Sequence, residues 1–291
     1  MILLDYSQIA LSNIIVQKLN DEGIIRHQIL NSIRMYNKKY RAEYGQMVIC
    51  ADGPNSWRKQ YYPEYKANRK KAREERNAKA EADGQDWNEI FRVMNQILVE
   101  LKENFPYKVV HLEGCEGDDI IGALAIRTQD FGQHEPVMII SSDKDFKQLQ
   151  KYDNIKQFSP IQKKDIKETN PRSYIFEHIC KGDASDGVPN VRSPDNAFTD
   201  SIRQLPVTKK SIQIWSENID NLRNFMTEEE YRNYQRNKTL IDLHEIPEDI
   251  YNNIIKTYDE QKIASKLKVM NYLVKNRLRN LVECTEEFYN G

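Results

Sequence analysis

Residues 138–149 read MIISSDKDFKQL, an apolar run of strand length that ends in two aspartates a single residue apart, Asp143 and Asp145. One Asp at such a place is a turn or cap residue, because its carboxylate accepts from nearby backbone N–H groups, and Ser142 or Asp143 suits a helix running over Phe146 and Leu149. Two carboxylates in one short loop ask for more, since the carboxyl edge of an open α/β sheet is where ligands bind. The sheet is legible on both sides of this stretch. MILLD (1–5), QMVICA (46–51), YKVVHLE (107–113), PVMIISS (136–142) and NIKQFS (154–159) read as strands, and helices are expected over 8–20, 25–43, 87–104, 117–129 and 144–150 from apolar residues three to four apart. Short apolar runs alternating with helical periodicity predict an α/β fold with a mostly parallel central sheet flanked by helices.

From about Asn170 the strand pattern stops. Helices are expected over 171–181, 208–217, 227–240, 248–258 and 261–280, with Thr227 capping EEEY. A chain of 291 residues, 39% hydrophobic, can bury one large and one smaller core, so the expected division is an α/β domain over 1–180 and a smaller all-α domain over 181–291. No run approaches the ~20 apolar residues of a membrane span, and MILLDYSQIA has neither a basic leader nor a cleavage site. A soluble, non-secreted, cytoplasmic monomer that does not engage membranes is expected. Cys50, Cys115, Cys180 and Cys284 are isolated and suit neither a zinc site nor a disulfide framework.

The net charge is only −1, yet charge is segregated. Residues 57–80, WRKQYYPEYKANRKKAREERNAKA, hold nine Lys or Arg against three Glu. This stretch lies in a long polar connection (about 53–86) after the second strand, which marks a functional loop or arch. Lys and Arg here suit sequence-independent contact with phosphates, and Tyr61, Tyr62 and Tyr65 suit stacking on unpaired bases. The distal half, near 74–86, is charged on all sides and is expected to be disordered in the free protein.

The other strands end as the quoted one does. MILL runs into Asp5, QMVICA into Asp52, and VVHLEGC into Glu116, Asp118 and Asp119 ahead of a helix, with Glu116 still in the loop. In a parallel sheet these ends share one edge, and so many carboxylates repel unless a cation neutralises them. Oxygen ligands without His or Cys point to Mg²⁺ or Mn²⁺, two of which suit phosphodiester hydrolysis. A third acidic pair, Asp183 and Asp186 in KGDASDGVPNV, opens the helical part.

An early strand Asp, a second strand Asp before a basic arch with YKANR, then EGDD, SDKD and GDASDGVP together resemble the flap endonuclease or 5′ nuclease family, within it the branch encoded by T-even-type bacteriophages. The resemblance spans essentially the whole chain. It implies a PIN-like nuclease fold and two Mg²⁺ ions, replaceable by Mn²⁺, held by Asp5, Asp52, Glu116, Asp118, Asp119, Asp143, Asp145, Asp183 and Asp186. It places Lys66 and Arg69 at the scissile phosphate, with Arg58 as the basic residue before them. It also implies removal of RNA primers and adjacent DNA from lagging-strand fragments by 5′ to 3′ exonuclease, flap endonuclease and ribonuclease H action. RNA–DNA hybrids and flapped or nicked duplex DNA are the implied substrates, and a single-stranded-DNA-binding protein and a sliding clamp the implied partners. Lys59, Tyr65, Lys70, Lys209 and Lys210 complete the expected nucleic-acid contacts. A departure stands at VPNVRSPDNAF, a divergent helix-hairpin-helix: Asn190 replaces a glycine and the family's later G-I-G is absent, which removes the backbone-amide turns of the usual potassium-assisted grip on duplex. An inactive DNA-junction-binding protein is the alternative, disfavoured by the full set of carboxylates.

Overall fold

A computed structural model, which describes residues 1–17, 19, 21–69 and 86–290, places the first strand at the centre of the sheet. β1 (Ile2–Asp5) pairs in parallel with β2 (Met47–Ala51) on one side and with β4 (Val137–Ile140) on the other. β3 (Lys108–His111) and β5 (Ile155–Ser159) extend the parallel sheet outward, and β6 (Lys164–Ile166) closes one edge antiparallel to β5, giving the order β3-β2-β1-β4-β5-β6. All five expected strands are present. The short β6 carries two exposed residues and no apolar alternation, so nothing in its sequence marks it as a strand.

Parallel strands covered on both faces read as continuous apolar runs, and MVICA and VMII are buried throughout. Alternate residues of β1 go to opposite cores. Ile2 and Leu4 join α2 (Glu22–Tyr44) and α4 (Trp87–Asn104) through Ile29, Ile33, Ile97 and Leu101. Leu3 faces α5 (Gly117–Arg127) and the 3₁₀ segment Lys144–Lys151 through Ile120, Leu124, Phe146 and Leu149. α1 (Tyr6–Gln17) follows β1 directly.

A third core gathers α6 (Pro171–Lys181), α7 (Lys209–Glu217) and α8 (Glu228–Ile241) around Phe176, Trp215 and Tyr234, and takes in Tyr62 and Tyr65 from the base of the basic stretch beyond the short α3 (Trp57–Tyr61). Beyond this third core the chain turns back to the sheet. α9 (Glu248–Glu260) buries Ile254 against α5, and α10 (Lys266–Lys275) with α11 (Arg279–Val282) returns to the first core through Val269, Leu273, Leu281 and Phe288. The helix expected over 261–280 is therefore two, broken where Arg277 takes φ +58°. Lys70, the distal arch expected to be disordered up to residue 85 and the end of the helix expected over 8–20 lie outside the described residues.

The loop VPNVRSPDNAF holds no helix; it starts at the Val188 bridge to Asp183 and goes on in turns and a bend. Its Asn190 is buried and fixed, donating to the Leu205 carbonyl and accepting from the Arg192 N–H and the Ser193 hydroxyl. Asn233, Arg236 and Asn237 of α8 hold the same loop by its carbonyls at Pro189, Val191 and Ser193. Side chains, not glycines, thus set the shape of this loop.

Candidate active site

The strand order reverses direction on either side of β1, so the crevice at the carboxyl ends of β1 and β4 is the switch point where such sheets bind ligands. Asp5 closes β1 there. Its carboxylate accepts from the Ser141 hydroxyl at 2.9 Å and the Gln8 N–H at 3.0 Å, and burial, with the nearby Asp52 and Asp143 charges, pushes it up to about 7. Asp143 caps the 3₁₀ segment by accepting from Asp145 N–H at 2.9 Å. Gln157 of β5, almost fully buried, donates to the carbonyls of Ser141 and Asp143 and fixes the loop between them. Burial and Asp143 push Asp145 up to about 7, and burial with Asp143 and Asp5 drives Asp118 well above the carboxylate range. The cap reading of SDKD is visible, and capping uses one oxygen of Asp143 and leaves the crowding of these carboxylates unrelieved.

Asp52 follows β2 and accepts from the Ser7 hydroxyl at 2.6 Å and from Gly117 N–H at 2.8 Å, which ties it to the start of α5. Gly53 beside it is obligatory: a Cβ there would stand 1.7 Å from the Leu112 carbonyl oxygen. Glu116 is the N-cap of α5, as its loop placement requires, in a capping box with Asp119.

Cations enter from the basic stretch. Lys66 reaches Glu116 at 2.6 Å and Asp186 at 3.5 Å, Arg69 pairs with Asp186, and the Tyr65 hydroxyl sits between Glu116 (2.9 Å) and Asp186 (2.7 Å) with its one hydrogen to give to either. Burial would raise Glu116, but the Lys66 and Arg58 charges outweigh it and hold the carboxyl below its ordinary value. Lys66, at φ +56°, donates its backbone N–H to the Asp186 carbonyl, and Gly187 (φ +71°) sits against Glu64 and Asn68 with no room to spare. The acidic turn of the helical part is thereby docked on the base of the arch.

Burial bears on three of the expectations. Asp119 is fully buried; it accepts from Trp57 Nε1 and Glu116 N–H and faces Arg58 at 2.7 Å, an ion pair that already supplies it with a cation. Arg58 is 3% exposed and bonds the Leu240 carbonyl as well as Glu116, which makes it an internal counter-charge and not a contact for phosphate. Tyr62 and Tyr65 are buried in the third core and cannot stack on bases; Tyr61 is half exposed. Lys59 is exposed, as are Lys209 and Lys210 in the first turn of α7.

Asp183 and Asp186 do reach the same place, lining a cavity of about 10 Å³ with Asp118, Asp145, Arg58 and Tyr65. Asp183 is well supplied: His178 Nε2 lies at 3.1 Å, Lys144 Nζ at 2.9 Å, and the Ser185 N–H and hydroxyl donate to its other oxygen. Burial would raise it, and these donors instead hold it far below the carboxylate range. His178 and Lys144 were missed by sequence reasoning. A His five residues before the Asp of GD, on a helix, was the available signal, but no spacing rule for metal sites covers it. A second, larger cleft of about 690 Å³ begins at Asp52, Ser7 and Arg69 and runs between α1 and α4 past Phe91 and Asn95.

Carboxylates left without enough protein cations, at the switch point of a parallel sheet and beside a cationic loop, define a divalent-metal enzyme of phosphoryl transfer on an extended polyanion. Residues 3–178 match the family described as 5′-3′ exonuclease, N-terminal resolvase-like domain, and residues 170–288 match T4 RNase H, C terminal. The chain is 36% identical to Ribonuclease H of Enterobacteria phage T4 over 98% of its own length and 95% of that protein. It is 29% identical to the Exodeoxyribonuclease of Enterobacteria phage T3 over 59% of this chain and 51% of the other. A zinc-bound T5 5′-exonuclease superposes with a TM-score of 0.63 at 19% identity, over 90% of this chain and 98% of that one. The chain belongs to the 5′-3′ exonuclease family, and it is a nuclease of that family with the C-terminal region of the phage T4 ribonuclease H kind.

Proposed function

We propose that this nuclease is a structure-specific 5′ nuclease that removes RNA primers and adjacent DNA from the 5′ ends of nicked or flapped duplexes during phage DNA replication in the host cytoplasm. The observation that supports it most is the set Asp5, Asp118 and Asp145, three carboxylates pushed up by burial and by neighbouring carboxylates, Asp143 among them in each case, more than Lys66 and His178 nearby relieve them. Such a set fits divalent ions: the donors are hard oxygens, Asp145 Oδ1 is buried without a hydrogen-bond partner, and the adjoining cavity has room for an ion- or water-sized group. Asp5, Asp118, Asp143 and Asp145 would hold two Mg²⁺ ions, with Mn²⁺ as substitute, and Asp52, Glu116, Asp183 and Asp186 would complete the surrounding negative shell. Bound in pairs, such ions activate water and stabilise the leaving oxygen of a phosphodiester.

The chain's own residues supply position. Lys66 and Arg69 stand where the cationic stretch meets this shell, and in the presence of substrate they exchange Glu116 and Asp186 for the phosphate being cut. Glu116, Asp186 and Tyr65 keep that cationic pair oriented beforehand. The cleft from Asp52 past Phe91 and Asn95 offers the 5′ strand a path away from the carboxylates. Lys59, Lys209 and Lys210 add exposed positive charge for duplex phosphates. RNA–DNA hybrid and flapped or nicked duplex are the substrates of this reading, and a single-stranded-DNA-binding protein and a sliding clamp are its partners, with the enzyme itself a monomer.

The test is purified protein with 5′-labelled RNA–DNA hybrid and 5′-flap substrates, each with Mg²⁺ and with EDTA. Mg²⁺-dependent release of short 5′ products is expected from both. Tight binding to the junction without cleavage in Mg²⁺ or Mn²⁺ would replace this reading with that of an inactive junction-binding protein.

A further inference from the structure

The geometry points to a nitrogen donor in one of the metal sites: His178 Nδ1, facing Asp145 Oδ1, makes that site a mixed nitrogen–oxygen site with a preference for Mn²⁺ and similar transition-metal ions over Mg²⁺. This rests on the metal reading above and refines it. His178 is 8% exposed, and its Nε2 lies 3.1 Å from Asp183 Oδ2. Asp183 is a carboxylate, which only accepts, so Nε2 carries the hydrogen toward it, and in that tautomer the ring's lone pair lies outward at Nδ1. That atom is buried with no hydrogen-bond partner, and so is Asp145 Oδ1, which it faces at 3.6 Å.

Two buried, unpartnered atoms aimed at each other ask for a cation between them. A proton shared across the gap does not answer, because 3.6 Å is beyond a hydrogen bond. An ion does: with bonds of about 2.0–2.3 Å to nitrogen and oxygen, two ligands of one ion stand roughly 3–4 Å apart. Asp183 then has a different part from the other carboxylates. Already receiving His178, Lys144 and Ser185, it fixes the ring's tautomer and angle, as carboxylates commonly do behind metal-bound histidines. Imidazole is a poor ligand for Mg²⁺ and a good one for later divalent metals, so one nitrogen shifts selectivity without excluding Mg²⁺ from the all-oxygen site at Asp5, Asp118 and Asp143.

Electron spin-echo spectroscopy of the Mn²⁺-loaded full-length protein, in natural abundance and with ¹⁵N-labelled histidine, reads the bond directly and without catalysis. A directly bound histidine nitrogen is expected in the unsubstituted protein and absent from His178→Gln, whose amide can still donate to Asp183. The Mn²⁺ dissociation constant of one site should rise at least about tenfold in that variant, with Mg²⁺ binding changed much less. Stoichiometric Mn²⁺ without any histidine coupling, or coupling that persists in His178→Gln, would overturn the inference and leave the carboxylate sites standing. Absence of stoichiometric Mn²⁺ would overturn it together with the metal reading.

Discussion

At the scale of single residues, the site is a store of unfavourable charge. Asp5 and Asp145 ionise near 7 in the folded protein, against an ordinary carboxylate value near 4, and Asp118 shifts the same way. Between about pH 4 and 7 the folded state therefore holds more protons than the unfolded chain, and stability falls as pH rises. Glu116 and Asp183 have the opposite sign, but their contribution is lost only as pH drops below the ordinary carboxylate value, outside this window. Metal-free protein should accordingly melt at a higher temperature at pH 5.5 than at pH 8, and saturating Mg²⁺ should reverse the order. Asp145→Asn should flatten the metal-free profile, melt at or above the unsubstituted protein at pH 8 and cut no substrate. A metal-free melting temperature that rises with pH across this window would show that the carboxylates are already neutralised from within. Much of this was readable from the sequence, because strand-end aspartates declare themselves by position. What was not readable is which carboxylates already have partners: EGDD gives Asp118 and Asp119 the same appearance, and only the packing of α3 against α5 turns one toward the crevice and the other toward Arg58.

At the scale of elements, the basic stretch divides by burial into cations that hold the fold and cations that are free to exchange. Arg58 on α3 is locked between Asp119, Glu116 and the end of α8, where removing one partner of a buried pair costs roughly 3–5 kcal/mol. Arg58→Met should lower the unfolding free energy by that order, measured by urea denaturation, with the salt dependence of DNA binding by the remaining folded protein unchanged. Lys66 and Arg69 should behave the other way. Replacing both with Ala should leave the fold standing, lower the cleavage rate, and reduce the slope of log affinity against log salt by roughly one per lost phosphate contact. An unchanged slope would assign both to docking the Asp186 turn alone. Charge counting from the sequence could not make this division, since all three are basic residues in one run.

At the scale of the whole molecule, the chain crosses from the sheet to the helical part and back again. Sequence periodicity marked helices after Asn170 but not their destination, because an amphipathic stripe says that a face is buried and not against what. The return has a consequence for truncation: Tyr272, Leu273, Leu281 and Phe288 pack on Phe105 and the sheet-side core, each worth about 1.5–3 kcal/mol of burial. Protein ending at residue 261 should lose its cooperative melting transition, whereas an autonomous α/β unit would keep it.

The same crossing places the base of the arch between the two parts. Tyr62 and Tyr65 are fixed in the third core, Lys66 hangs on the Asp186 carbonyl, and Arg69 lines the cleft beside Asp52 together with Phe91 and Asn95 of α4, so the described chain on either side of the basic connection meets at that cleft. A strand bound at the carboxylates passes either beneath the expected arch or around it. Passing beneath makes a strict demand of the substrate: the 5′ tip has to enter first. A 5′ flap carrying a bulky protein on its tip, attached before the enzyme is added, should be cut at least about tenfold more slowly than the free flap, a barrier of about 1.4 kcal/mol or more. The same block added after the enzyme has bound in EDTA should trap a threaded complex, which cuts at the normal rate when Mg²⁺ is supplied. Equal rates on blocked and free flaps would send the strand around the arch, and the metal chemistry at the switch point would be unaffected by that result.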